Sequence, residues 1–131
     1  IMMKERNHNI VAAAKKWRPF DYGFTIDMFV LQLREMLKFY TDGKGVVQAD
    51  ESRDQIKAQL TKALQLYEEA ADFENDEFIR LDAFCSEKGL AWCAIPAAER
   101  EAFQKADAQA VQIKYDAFFL YASHHFREWW D

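Results

Sequence analysis

The spacing of apolar residues predicts three long helices. From Tyr22 to Thr41, apolar side chains recur every three or four residues, and the polar Asp27, Arg34 and Lys38 fall opposite them. A second run starts at Asp50, which can cap a helix, and repeats in the same way to Ala71. The third begins after Pro96 and keeps the spacing without interruption, at Phe103, Ala106, Ala110, Ile113, Ala117, Leu120 and His124.

Shorter segments join or precede these helices. The central helix is expected to stop at the sequence TDGKG, where Gly43 can adopt a left-handed conformation. The helical period slips near Asn75, which predicts a break and then a short helix ending at Gly89. Residues 4–16 are interpreted as a short helix or an ordered arm.

The composition agrees with an all-α fold. The 131 residues are 50% hydrophobic and include only four glycines and two prolines, too few for a fold built from hairpins. A chain of this length can bury one good core. We therefore predict a single domain, 1–131, folded as a compact helical bundle of four to five helices with a long C-terminal helix.

Charge and hydropathy exclude some partners. The 17 basic and 22 acidic side chains leave a net charge of −5, which repels nucleic-acid phosphates. No apolar run reaches the roughly 20 residues that span a bilayer, and IMMKERNHN lacks the apolar core of a signal peptide. Cys85 and Cys93 are therefore expected to be free, buried thiols in a reducing cytoplasm.

The stretch KKWRPFDYGFTIDMF has two interpretations. Asp21 stands where an N-cap is wanted for the central helix, so the segment can simply begin that helix. Gly23, however, costs up to about 1 kcal/mol against alanine in a first turn, and close approach of a ligand is one reason to keep it. In that case Trp17, Arg18, Asp21 and Tyr22 form part of a binding surface.

The C-terminal helix is longer than the globule needs. A helix from 97 to 129 is about 50 Å long, against about 36 Å for a compact chain of this size. Its small residues form a seam that either the central helix or a partner can cover, and His124 is expected in the core or an interface. Tyr121, Phe126, Trp129 and Trp130 are predicted to be exposed anchors of a homodimer, in which this segment contacts the neighbouring chain or its residues 17–24.

Catalytic and metal-binding patterns are weak. Glu51-x-x-Asp54 and Glu69-x-x-Asp72 lie about 20 Å apart on one predicted helix, so they cannot share a metal within one chain. The adjacent His124 and His125 diverge by about 100° on a helix. We expect no cofactor and no enzymatic activity; the alternative is a metal-dependent, all-α nucleotide pyrophosphohydrolase that uses Glu69 and Asp72.

Two segments, WRPFDYGFTIDMFVLQLREMLKFY and HHFREWWD, resemble a family of small uncharacterised proteins of tailed bacteriophages. The resemblance covers residues 17 to about 70 and the C-terminus. It implies a phage accessory protein in the bacterial host cytoplasm, and because the family has no stated activity, it transfers no catalytic residue. The matching positions are Trp17, Pro19, Asp21, Tyr22, Trp129, Trp130 and Asp131.

A binding function is the prediction that follows. The resemblance favours a host-directed inhibitor or defence antagonist whose partner is a host or phage protein, or a small nucleotide. A virion or scaffold component is the further alternative.

Overall fold

A computed structural model describes residues 22–42 and 50–129, which form four α-helices and one short 3-10 helix. This confirms the all-α bundle and its long C-terminal helix. The predictions for residues 4–16, the Asp21 cap and the Gly43 helix end lie outside the described residues. The α-helices are α1 (Tyr22–Asp42), α2 (Asp50–Asn75), α3 (Glu77–Lys88) and α4 (Ala97–Trp129).

Helix α1 follows the predicted amphipathic pattern. Val30, Leu33 and Tyr40 are buried, and the three polar residues predicted opposite them are exposed. Two buried positions, Val30 and Glu35, were not predicted. Glu35 is almost fully covered, with its carboxylate 3.5 Å from the Lys38 ammonium group. A charge of opposite sign nearby reduces the cost of placing a carboxylate there.

Helix α2 ends at Asn75, at the predicted break. Asp76 forms the turn that follows, and its backbone N–H donates to the carbonyl of Asp72 at 3.0 Å. Asp50, the predicted cap, stands as the first residue of α2, and its side chain lies outside the described residues.

Helix α3 closes with a left-handed glycine. Gly89 has φ 67°, its N–H donates to Ser86, and the N–H of Leu90 donates to Cys85, both at 3.2 Å. These bonds satisfy carbonyls that the end of a helix leaves without partners. The 3-10 helix Trp92–Ala94 then leads to Pro96 and to α4, which begins and ends at the predicted residues.

The chain divides into two compact units. The first comprises Ile1–Leu64 with His125–Asp131, and the second comprises Gln65–His124. Both boundaries fall within helices, and the single-domain prediction stays a prediction. None of the described helices is long and apolar enough to cross a membrane.

The core of the first unit consists of aliphatic side chains around one tryptophan. The Trp129 indole N–H donates to the side-chain oxygen of Gln59 at 2.9 Å, and the Tyr40 hydroxyl donates to the Trp129 carbonyl at 3.1 Å. Buried polar groups are thereby paired, as burial requires. The buried hydrophobic residues described in this unit are Val30, Leu33, Tyr40, Ile56, Leu60, Ala63, Leu64 and Trp129.

Aromatic contacts connect the helices of the second unit. Phe84 of α3 stacks on Phe103 of α4 with ring centroids 4.5 Å apart, and Trp92 lies edge-on to both rings. A second group pairs Tyr67 of α2 with Tyr115 and Phe118 of α4. The buried hydrophobic residues described here are Ala70, Ile95, Phe118 and Ala122.

Candidate functional site

The predicted N-terminal surface falls mostly outside the described residues. Trp17, Arg18 and Asp21 precede α1, and Tyr22 is its first residue, with a side chain that is not among those described. The proposed cap and the proposed binding surface at this segment therefore both stay predictions.

The prediction that Trp129 is an exposed anchor is wrong. This side chain is only 1% exposed, and it is held in the core of its own chain by Gln59 and Tyr40. Its hydrogen bonds join residues 70 and 89 positions apart in sequence, which no local pattern reveals. Tyr121 is half-buried, Phe126 is exposed, and Trp130 lies outside the described residues.

The seam predicted on α4 is largely exposed. We define the α4 seam as Ala106, Ala110, Ile113, Ala117 and Leu120. Ile113 is 68% exposed and Leu120 60% exposed, Ala110 is half-buried, and the other two alanines are exposed. His124, which continues the seam, is exposed and therefore not a core histidine.

The buried side of α4 is a different stripe, which includes Phe118, Ala122 and Trp129. Phe118, the first of these residues, directly follows Ala117 of the seam. The two stripes are therefore about 100° apart around the helix. Apolar residues thus occupy two adjacent stripes of α4. Among the described residues, side chains of the stripe through Phe118 are buried, whereas those of the seam are largely exposed.

The acidic run does not form a metal site within the described part of the chain. Glu69 and Asp72 are both exposed, and Glu69 accepts a hydrogen bond from Gln65 at 3.2 Å. As predicted, both carboxylate pairs lie on the single helix α2. Across residues 22–42 and 50–129, no group of three or more metal-ligating side chains could hold an ion. The hydrolase alternative stays a prediction without geometric support.

A charged and apolar surface lies where α2 meets α3. We define the α2–α3 corner as residues 74–79. Phe78 is 77% exposed and Ile79 66% exposed, and the acidic Glu74, Asp76 and Glu77 beside them are exposed as well. Two large apolar side chains among carboxylates are a feature that folding alone does not require.

Arg80 follows this corner in sequence but is engaged elsewhere. Its guanidinium Nε lies 2.5 Å and its second nitrogen Nη2 3.1 Å from the two carboxylate oxygens of Asp107 on α4. The third nitrogen donates to the backbone carbonyl of Phe73, and the guanidinium also stacks over the Phe73 ring at 3.8 Å. This two-pronged arrangement fixes α3 to α4.

The ion pair shifts both titrating groups. The hydrogen bond from Arg80 lowers the pKa of Asp107 below its usual value, and the hydrogen bond to Asp107 raises the pKa of Arg80. Nearby Asp76 and Glu77 raise the pKa of Arg80 further. Both groups therefore stay charged across the physiological pH range.

The cysteines are free, as predicted, but only one is partly buried. Cys85 on α3 is half-buried and Cys93 in the 3-10 helix is exposed, so the prediction of two buried thiols is wrong for Cys93. Cys93 lies in a short segment between α3 and α4, and apolar periodicity gives no information on burial in a segment that short.

Some important residues were missed by the sequence interpretation. Gln59 stands between Ile56 and Leu60 on the apolar stripe of α2, and a polar residue in that position is a detectable signal for a buried hydrogen bond. The Arg80–Asp107 pair had no such signal, because the residues lie 27 positions apart on different helices. The exposure of Phe78 was not predicted, because this residue shares the helical spacing of the apolar residues Leu81 and Phe84.

No protein-family model matches this chain, and comparison with curated proteins and with solved structures found no significant match.

Proposed function

We propose that this protein acts by binding another protein at the α2–α3 corner. The observation that carries the proposal is the exposure of the aromatic Phe78 and the aliphatic Ile79 on the first turn of α3. Exposed apolar side chains grouped among polar ones are typical of protein interaction sites.

The charge of the corner defines the chemistry of the partner. Glu74, Asp76 and Glu77 are exposed within the same six residues as the two apolar side chains, and Glu74 accepts a hydrogen bond from the Tyr115 hydroxyl at 3.0 Å. The neighbouring Arg80 is paired with Asp107. Such a surface complements an apolar patch that is bordered by arginine or lysine. It disfavours an anionic nucleotide as ligand, because carboxylates repel phosphate groups.

The setting is proposed from the sequence resemblance. A phage accessory protein in the bacterial cytoplasm would use the corner to occupy a surface of a host protein, as an inhibitor or a defence antagonist. The virion or scaffold alternative predicts a phage structural protein as the partner instead.

The test is affinity capture from phage-infected bacteria with three baits. These are the wild type, a Phe78→Ser/Ile79→Ser double variant, and Leu90→Ser as a matched control at an exposed apolar position outside both the corner and the α4 seam. We expect one partner with the wild type and the control, lost with the double variant and weakened at high salt, since exposed charges are screened.

The identity of the captured protein separates host target from virion component. Capture of the same partner by all three baits would overturn the assignment of the corner. Turnover of a nucleotide in the presence of magnesium or manganese, abolished by Glu69→Ala or Asp72→Ala, would overturn the binding function itself in favour of hydrolysis.

A further inference from the structure

We propose that the α4 seam binds a second copy of this chain, with the two α4 helices antiparallel. This inference does not depend on the α2–α3 corner. Ile113 and Leu120 expose most of their surface on one stripe of a long helix, and three alanines between and beside them allow another helix to approach closely.

The spacing of the seam is that of a coiled-coil contact. Its residues alternate at intervals of four and three from Ala106 to Leu120. The same alternation continues to His124 at one end and, through the half-buried Phe103 that stacks on Phe84, to Glu99 at the other. All of these positions belong to the second compact unit. A seven-residue repeat of this kind pairs helices at a shallow crossing angle of about 20°.

Charge at the two ends selects the antiparallel arrangement. In an antiparallel pair, the residue numbers of any two facing positions have the same sum. When Ala110 of one copy faces Ile113 of the other, Glu99 therefore faces His124. The Glu99 carboxylate has one oxygen 3.5 Å from the Lys88 ammonium group of its own chain, and its second oxygen then accepts a hydrogen bond from the imidazole N–H. A parallel pair would place the two Glu99 carboxylates together, which is unfavourable.

Side-chain size favours the same arrangement. Antiparallel pairing places each Ile113 against the small Ala110 of the other copy, so a large side chain fills the space above a small one. Parallel pairing would instead stack alanine on alanine at three levels and leave gaps between them. Such an interface is isologous, as expected for a two-fold dimer.

The apolar part of the seam is short. The fifteen residues from Ala106 to Leu120 span about 21 Å of helix, so the contact is smaller than a standard interface of about 800 Å² per partner. We therefore expect a dissociation constant in the micromolar range, with monomer and dimer both measurable.

Light scattering and sedimentation over a concentration series test the association. The wild type should approach twice the monomer mass at tens of micromolar. Ile113→Arg should remain a monomer with unchanged circular dichroism, whereas the matched control Ile79→Arg, at an equally exposed isoleucine on α3, should still dimerise. A wild type that stays monomeric at 100 µM overturns the proposal, whatever the variants do.

Disulfide trapping tests the orientation. In a Cys85→Ser/Cys93→Ser background, Glu99→Cys and His124→Cys chains should each fail to cross-link alone and should cross-link when mixed. Efficient self-cross-linking of the Glu99→Cys chain would overturn the antiparallel arrangement. Neither outcome depends on whether the corner binds a partner, so the two proposals fail separately.

Discussion

The two compact units are stabilised by different kinds of contact. Among the described residues, the first unit buries eight hydrophobic side chains, whereas the second buries four and adds aromatic pairs and the Arg80–Asp107 ion pair. The second unit also exposes Phe78, Ile79, Ile113 and Leu120. The most exposed apolar side chains described thus belong to the second unit, whereas those exposed in the first, Phe39 and Phe126, are 38% and 44% exposed.

Replacing Trp129 should give the largest loss of stability if the first unit depends on its core. Trp129→Ala removes a fully buried ring and leaves Gln59 without its donor, so we expect a loss of about 3–5 kcal/mol in the free energy of unfolding. Denaturant unfolding followed by circular dichroism measures it.

The matched control is Trp92→Ala in the second unit, at a half-buried tryptophan. It should cost clearly less than Trp129→Ala. Equal losses would remove the distinction between the two units.

Breaking the Arg80–Asp107 ion pair should give an intermediate loss of stability in the second unit. Asp107→Asn leaves the partly buried Arg80 without its counter-charge, which should cost about 1.5–3 kcal/mol. Asp82→Asn, at an exposed carboxylate on α3, is the control and should have little effect.

The same pair predicts a pH dependence. The pKa of Asp107 is lowered in the folded chain, so its contribution is fully present above the unfolded-state pKa of about 3.9 and is lost as the pH falls through the lower folded-state value. Unfolding titrations from pH 6 to pH 2 should therefore show a steeper fall for the wild type than for Asp107→Asn. Parallel curves would contradict the assignment.

The smallest effect should come from the end of α3. A Cβ at Gly89 would meet no atom within 4 Å, so Gly89→Ala should cost only the strain of a left-handed alanine, about 1 kcal/mol. Gly89→Asn should cost less, because asparagine tolerates that conformation better. Thermal unfolding of both variants measures the difference, and an equal or larger loss for Asn would mean that backbone conformation does not limit this site.

Local sequence determined the helices of this protein. The ends of α4, the break at Asn75 and the glycine that closes α3 were all predicted, because helical periodicity, proline and glycine act over a few residues. The same patterns predicted the polar side of α1. These patterns are local, because the helical geometry of a segment depends mainly on that segment's own residues.

Only the tertiary structure decided which apolar stripe of α4 is buried. Apolar residues occupy two adjacent stripes of that helix, so periodicity could not choose between the α4 seam and the stripe through Phe118 and Trp129. The choice depends on Tyr67 and Gln59, which contact Phe118 and Trp129 from positions more than fifty residues away. The free energy of burial depends on what covers a side chain, and that partner is not encoded in the local spacing.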